Sequence, residues 1–222
     1  MKKPSLLSLI AAFACVALYA QTPDYRFGKV SAEELRMTSY DKDPDAAAVY
    51  LYEENSLFYQ IDREIGLTSD YRARIKILKS DGTDQANVSI PYTDEYSVRE
   101  SVFGIDAVAY NLVDGKIVKT PLKKQYIFTE QVGENHKLVK FSIPEVREGT
   151  VIEYKFRKTS KNPTYIPSFR FQHDIPVARC HMQALIPEFF KFNLNLKGYV
   201  KVNIEDGSTN GSVGSGSDMI LS

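Results

Sequence analysis

The chain has 222 residues, of which 43% are hydrophobic and 25% are charged, an ordinary composition for a globular protein. Its formal net charge is zero. The sequence therefore lacks the excess of basic residues with which proteins attract nucleic acids or anionic membranes, and we expect no nucleic-acid partner.

Residues 1–20 have the pattern of a cleavable signal peptide. Two lysines precede an apolar run over 6–14 that is too short to span a bilayer, and Ala20 supplies a small residue before the cleavage site. Cys15 lies in this region, but the residues before it do not form a lipoprotein motif. No later stretch is long and apolar enough for a transmembrane helix. We therefore expect a periplasmic or secreted protein that begins at Gln21.

One helix is predicted, near the start of the expected mature chain. In the sequence SAEELRM, residues 31–37, Ser31 is a suitable N-cap and Glu34 completes a capping box. The periodicity of apolar residues then changes from the helical period to a period of two.

Three segments alternate between apolar and polar residues: 70–78, 137–143 and 151–158. This alternation is typical of antiparallel strands with one buried and one solvated face. The residues expected on the buried faces are Tyr71, Ala73, Ile75, Ile77, Val139, Phe141, Ile143, Ile152, Tyr154 and Phe156. The opposite face of the first segment carries Arg72, Arg74 and Lys76. We expect these to be solvated, although the row could dock an acidic glycan or peptide.

Turn residues separate the predicted strands. Asp81-Gly82 and Asp114-Gly115 are hairpin dipeptides, because glycine adopts the positive φ that tight turns need, and 147–150 joins two more strands. Short strands at this spacing, with almost no helical pattern, predict a mainly β, antiparallel sandwich over 21–205.

The last residues differ in composition from the rest. The stretch 206–218 is rich in Gly, Ser and Asn, and it is either a flexible linker or a hairpin loop. Three apolar residues follow it, and this indicates the start of a further element in the tail 206–222.

The stretch 171–187 raises the question of a cysteine-enzyme site, because His173, Asp174, Cys180 and His181 lie close together in it. Cys180 and His181 are adjacent on a predicted strand, so their side chains point to opposite faces and cannot pair with each other. Cys180 is also not at a helix N-terminus. We therefore interpret Cys180, which would be the only cysteine after signal cleavage, as a small buried apolar residue without a disulfide.

Other catalytic and ligand-binding patterns are missing from the sequence. The three histidines, at 136, 173 and 181, do not have metal-ligand spacing, and the chain contains no Cys-x-x-Cys, Walker loop, GxGxxG or nucleophile elbow. We expect no metal, no cofactor and no catalytic residue in this chain.

The central sequence resembles a known family. The segments YNLVDGKIVKTPLKKQYIF, KLVKFSIPEVREGTVIEYKFRKTS and FRFQHDIPV are similar to domain of unknown function 3857, with the most specific match at Ile143–Tyr154. The resemblance implies an immunoglobulin-like β-sandwich of Bacteroidetes-type extracytoplasmic proteins. Members typically continue into a transglutaminase-like domain. No transglutaminase-like core is expected after residue 205 here, and its Cys, His and Asp would lie beyond Ser222. Cys180 does not correspond to that cysteine, and no catalytic residue can be carried over from the sandwich.

One candidate interaction surface remains. The proline-stiffened segment 162–176 carries Tyr165, Phe169, Phe171 and His173, which could contact a downstream domain or a ligand, or could simply cover the open end of the sandwich. Glu153, within the family signature, is expected to form a cross-strand ion pair or a hydrogen bond to the turn at 147–150.

These observations leave three hypotheses. The first is a secreted, non-catalytic interaction module that accompanies a transglutaminase-like domain or another extracytoplasmic protein. The second is the N-terminal part of a longer transglutaminase-like cysteine enzyme. The third is a carbohydrate-binding module, for which the sequence offers only fold analogy and no tryptophan.

Overall fold

The computed structural model describes residues 25–61, 63–191, 193, 195–198, 203–208 and 215–221. The expected signal peptide lies outside the described residues. The described elements are α1 Ala32–Arg36, β1 Ala48–Ile61, β2 Ile65–Ile77, β3 Asn87–Thr93, β4 Glu100–Val113, β5 Lys116–Pro121, β6 Ile127–Gln131, β7 His136–Ser142, β8 Val151–Ser160, β9 Cys180–Ile186, β10 Asn203–Ser208 and β11 Ser215–Leu221. Two short 3-10 helices, Ser80–Ala86 and Lys124–Tyr126, complete the description. Within these residues, none of the helices has the length and apolar character that crossing a membrane requires.

The predicted helix is confirmed as α1, with both halves of its capping box. The Ser31 hydroxyl accepts a hydrogen bond from the Glu34 amide at 3.1 Å, and the Glu34 carboxylate accepts one from the Ser31 amide at 2.6 Å. The helix has only five residues. Its stability therefore depends on contacts with the sheet rather than on helix propensity.

The strands form two sheets, which confirms the mainly β prediction. The large sheet has eight strands in the order β10-β11-β9-β1-β2-β8-β4-β5, and the small sheet has three in the order β3-β7-β6. Eight of the nine strand pairs in the described residues are antiparallel, as predicted, and the exception is β9, which runs parallel to β1. Immunoglobulin domains divide seven or nine strands between their sheets, so the immunoglobulin-like type stays a prediction.

The main core lies between one face of the large sheet and the small sheet. Its buried members include Ala73, Ile75 and Ile77 of β2, together with apolar residues of β7 and β8. The alternation in the sequence correctly predicted these inward faces. The period-two pattern places every second side chain of a strand on one face, and the side chains on the inward faces form the core.

The turn predictions had mixed outcomes. Asp114-Gly115 joins β4 to β5 as a hairpin, and both residues have positive φ, 49° and 76°. Asp81-Gly82 does not form a hairpin, because it lies in the 3-10 helix that carries the chain from the large sheet to the small sheet. A Cβ at Gly82 would lie 2.3 Å from the Ala47 carbonyl oxygen, so close packing explains this glycine. The turn at 147–150 does not form a hairpin either, because it joins β7 of the small sheet to β8 of the large sheet.

The Gly/Ser-rich end of the chain contains two strands. β10 pairs with β11, and β11 pairs in turn with β9, so both belong to the large sheet. The domain boundary expected after residue 205 falls inside β10.

The expectation that Arg72, Arg74 and Lys76 form a solvated row is wrong for two of them. Arg74 and Lys76 are buried, at 2% and 0% exposure. The covering element is the N-terminal segment, residues 25–36, since Arg74 donates to the Arg26 carbonyl oxygen and to the Glu34 carboxylate. The large sheet is therefore covered on both faces in this region.

Lys76 is a buried amine that binds carbonyl groups rather than a carboxylate. Its Nζ donates to the carbonyl oxygens of Leu35 at 2.7 Å and Gly149 at 2.5 Å, which links the end of α1 to the turn before β8. No carboxylate among the described residues makes an ion pair with it. Burial lowers the pKa of Lys76 from its ordinary value to about 8.

This burial predicts that Lys76 makes folding more favourable as pH rises. Between pH 8 and 10.5 the unfolded lysine is protonated while the folded one is increasingly neutral, so the unfolded state binds more protons. Relative to Lys76→Met, wild-type stability should rise by about 1–2 kcal/mol between about pH 7 and 9.5. Urea unfolding of both proteins at each pH measures this difference.

The comparison with Lys76→Met is needed because Cys180 has the opposite effect. Its pKa is raised by burial, so the folded thiol keeps its proton after the unfolded one has ionised, and stability falls as pH rises. The substitution leaves this contribution in both proteins. Unfolding free energies that change in parallel with pH would show that Lys76 titrates normally in the fold.

Candidate functional site

Glu153 is the centre of a buried polar network on the outer face of the large sheet. Its Oε1 accepts from Arg74 Nε at 2.8 Å, and its Oε2 accepts from the Tyr110 hydroxyl and the Gly28 amide, each at 2.8 Å. Arg74 and Glu153 are directly opposite each other on β2 and β8. The predicted cross-strand ion pair is therefore confirmed, whereas the carbonyl of the turn residue Gly149 binds Lys76 instead.

This network holds the N-terminal segment on the sheet. Arg74 Nη1 lies 2.7 Å from Glu34 Oε1 of α1, and its Nη2 donates to the Arg26 carbonyl oxygen at 3.1 Å. Burial, followed by the nearby Glu153 carboxylate, raises the pKa of Tyr110, so its hydroxyl remains a donor. These hydrogen bonds join β2, β4, β8 and the N-terminal segment.

A second buried carboxylate, Glu53 of β1, brings together residues that are distant in the sequence. Glu53 is 1% exposed. Its Oε2 lies 2.8 Å from His173 Nε2 and 3.4 Å from Cys180 Sγ, and its Oε1 accepts from the Tyr71 hydroxyl at 2.6 Å. His173 and Cys180 of the stretch 171–187 thus both contact the Glu53 carboxylate rather than each other.

The surroundings of Cys180 favour the protonated thiol. The residue is 0% exposed, which confirms its interpretation as a buried residue. Burial is the largest cause that raises the pKa of Cys180, and the negative charge of Glu53 raises it further. A nucleophilic cysteine needs the opposite environment, with a cation beside it and an open approach.

Sequence reasoning missed Glu53. Two buried apolar residues, Leu57 and Tyr59, occur at the same alternating positions of β1 as Glu53, so the period-two pattern could have shown that it faces inward. Its partners could not have been found in this way, since they lie on β2, on β9 and in the loop before β9.

The four residues of the predicted aromatic segment differ in exposure and in the rings they contact. Tyr165 is 61% exposed. The rings of Phe169 and Phe171 pack edge to face, with 5.0 Å between their centroids, and His173 stacks on Tyr50 at 4.6 Å. Tyr165 and this partly buried group therefore lie in different environments, and a binding role for the four residues stays a prediction.

Tyr165 borders a groove of about 590 Å³ beside β3, the edge strand of the small sheet. The groove is also lined by Tyr92, Val98, Leu138, Pro167 and the pair Lys158–Glu100. Lys158 Nζ donates to the Pro91 carbonyl oxygen at 3.0 Å, and Glu100 accepts from the Thr93 amide at 2.8 Å. Side chains thus occupy backbone groups that a neighbouring strand would otherwise bind, which protects the edge.

The described residues include no group of three or more His, Cys, Asp or Glu side chains arranged to hold a metal ion. They contain the buried polar networks around Glu153 and Glu53 and the open groove beside β3. The buried side chains of these networks bond to one another, and the His173 side chain, at 22% exposure, reaches the surface.

Comparison with known proteins identifies the family. Residues 66–215 match the family described as "Domain of Unknown Function with solved-structure structure (DUF3857)". The match covers more than half of the chain, and the chain belongs to this family. Among curated proteins, none matches the sequence significantly.

A solved structure supports the fold. A protein described as a putative protease from Parabacteroides distasonis ATCC 8503 aligns with 79% of this chain, with a TM-score of 0.54 and 14% sequence identity. The aligned region is 35% of that protein, so this chain spans about a third of its length. At this identity the likeness is one of fold.

Glu153 can be tested by a substitution that keeps its shape. Glu153→Gln should lower the free energy of unfolding by about 3 kcal/mol, because it removes one of two carboxylates from the buried Arg74 guanidinium. Urea unfolding at neutral pH measures the loss.

The matched control is Glu130→Gln, which breaks an exposed ion pair with Lys140 on the small sheet. This change should cost less than about 1 kcal/mol, since exposed pairs contribute little. Equal effects of the two substitutions would contradict a special role for the buried network.

Proposed function

We propose that this chain is a periplasmic or secreted, non-catalytic β-sandwich module that acts by contact with another domain. The main support is the environment of Cys180, whose thiol is buried, hydrogen-bonded to Glu53 and held in its protonated form. A cysteine in this state supplies no thiolate for catalysis. The location follows from the signal-like pattern of residues 1–20.

The partner domain that we favour is transglutaminase-like, as the resemblance to the family implies. The contact surface is the segment 162–176, with Tyr165 as its exposed aromatic residue. An aromatic ring on a proline-stiffened loop loses little conformational entropy on binding. The sandwich would act as a rigid support that holds this loop against its partner.

A second candidate is favoured by one observation. The similar solved protein carries the word protease in its description, and this chain spans only 35% of that protein. The chain would then be the N-terminal module of a longer cysteine enzyme, with its catalytic residues in another domain. The intact mass of the native protein separates the candidates, because a module on its own has the mass of Gln21–Ser222.

The non-catalytic assignment predicts an unreactive thiol. A protein that begins at Gln21 has Cys180 as its only cysteine. At pH 8 it should react with the thiol reagent DTNB at least about a hundredfold more slowly when folded than when unfolded in urea, because the buried thiol is protonated. Rapid reaction of the folded protein that is lost in His173→Ala would instead indicate an activated cysteine.

The proposed contact predicts a loss of binding on removal of the exposed ring. Tyr165→Ala should weaken binding to the isolated transglutaminase-like domain of a DUF3857 protein by about tenfold, as expected for an aromatic anchor. Isothermal titration calorimetry measures the affinity, and Tyr96→Ala, at an 87% exposed tyrosine, is the control. The contact surface is wrong if Tyr165→Ala and Phe169→Ala change only the melting temperature.

A further inference from the structure

The outer face of the large sheet continues beyond the part that the N-terminal segment covers, and there it forms an open cavity of about 440 Å³. We call this space the outer cavity. Strand pairing places two rows of side chains across β1, β2, β8 and β4 on this face. The rows are Ser56, Asp70, Arg157 and Phe103, and Glu54, Arg72, Lys155 and Asp106. All of these residues except Asp106 line the cavity, whose volume is within the range of small-molecule sites, about 300–1,000 Å³.

A bulge in β4 shapes one wall of the outer cavity. The pairing of β4 with β8 shifts register between Phe103 and Asp106, and Gly104 within the bulge has φ +65°. No heavy atom lies within 4 Å of the position that a Cβ of Gly104 would occupy. Bulges re-aim side chains and are frequent beside binding sites. Here the bulge accompanies a phenylalanine, Phe103, that remains 48% exposed at the wall.

The cationic side chains of the outer cavity are already neutralised. Arg157 makes two contacts of 2.5 Å with the Asp70 carboxylate, and Lys155 Nζ lies 3.1 Å from Asp106. Arg72 is paired with Glu54. A strongly anionic ligand would therefore find each positive charge balanced by a neighbouring carboxylate, and it would gain little electrostatic attraction.

These pairs still offer hydrogen bonds to a neutral ligand. Asp70 and Arg157 are 41% and 40% exposed in their side chains, so the guanidinium has further N–H donors and the carboxylate further lone pairs. A donor beside an acceptor suits adjacent hydroxyl groups, since each hydroxyl both donates and accepts. The half-exposed ring of Phe103 supplies an apolar face in the same row.

We propose that the outer cavity binds a neutral oligosaccharide. The Phe103 ring packs against the C–H face of one sugar, and the Asp70–Arg157 pair forms hydrogen bonds with adjacent hydroxyls of that sugar. The outer cavity shares no lining residue with the groove at Tyr165, so this site is separate from the proposed domain contact.

The test is a binding titration of the purified protein by isothermal titration calorimetry. The probes are hexasaccharides of β-1,4-glucan, α-1,4-glucan, β-1,4-mannan and β-1,4-xylan, with a heparin hexasaccharide as the anionic comparison. We expect at least one neutral probe to bind with a Kd below about 1 mM. Phe103→Ala should weaken that binding by about tenfold or more, and Asp70→Asn should weaken it while keeping the shape of the site.

Phe128→Ala is the matched control, because Phe128 is a 60% exposed phenylalanine on the small sheet, outside the outer cavity. It should leave the affinity unchanged within about twofold. Circular dichroism checks that each variant is folded. The proposal is overturned if no neutral probe binds at about 10 mM, or if Phe103→Ala and Asp70→Asn leave binding unchanged. It is also overturned if only the heparin probe binds, with affinity that falls steeply with salt.

Discussion

The buried ion pair between Arg74 and Glu153 determines how the outer face of the large sheet is covered. Both side chains are almost fully buried, at 2% and 3% exposure, and such charges are tolerated only when their remaining hydrogen bonds are satisfied. The N-terminal segment supplies the missing partners, namely the Glu34 carboxylate, the Arg26 carbonyl and the Gly28 amide. The register of β2 against β8 and the position of α1 are therefore mutually dependent, and disturbance of either leaves hydrogen-bonding groups of this buried pair unsatisfied.

Local periodicity predicted which residues share a face, but it could not show what covers that face. The alternation at 70–78 correctly placed Ile75 and Ile77 in the core. The same pattern suggested a solvated row on the other side, because the contacts of Arg74 with residues 26 and 34 are nonlocal. Turn chemistry has the same limit. Asp81-Gly82 has hairpin residues, yet the close approach of the Ala47 backbone and the change of sheet are tertiary features.

The surroundings of Cys180 show which features of a candidate site can be predicted from the alternation of one strand and which cannot. The period-two pattern correctly predicted that the side chains of Cys180 and His181 lie on opposite faces. Cys180 is buried, and His181 pairs with Glu54 near the surface. The meeting of Cys180 and His173 at Glu53 depends on the parallel pairing of β1 with β9, in which Glu53 is opposite Cys180. Residues 120 or more positions apart are involved, so only the assembled sheet reveals that the thiol faces a carboxylate rather than a cation.

The outer face is one continuous ladder of cross-strand pairs with a covered half and an open half. Where the N-terminal segment covers it, the Arg74–Glu153 pair is almost fully buried and joins β2, β8 and the N-terminal segment. Two positions further along β2 and β8 from the Arg72–Lys155 row, Asp70 and Arg157 are about 40% exposed. Such exposed pairs add little to stability. The Asp70–Arg157 pair therefore contributes little to the stability of the large sheet, and its donors and acceptors remain accessible to a ligand.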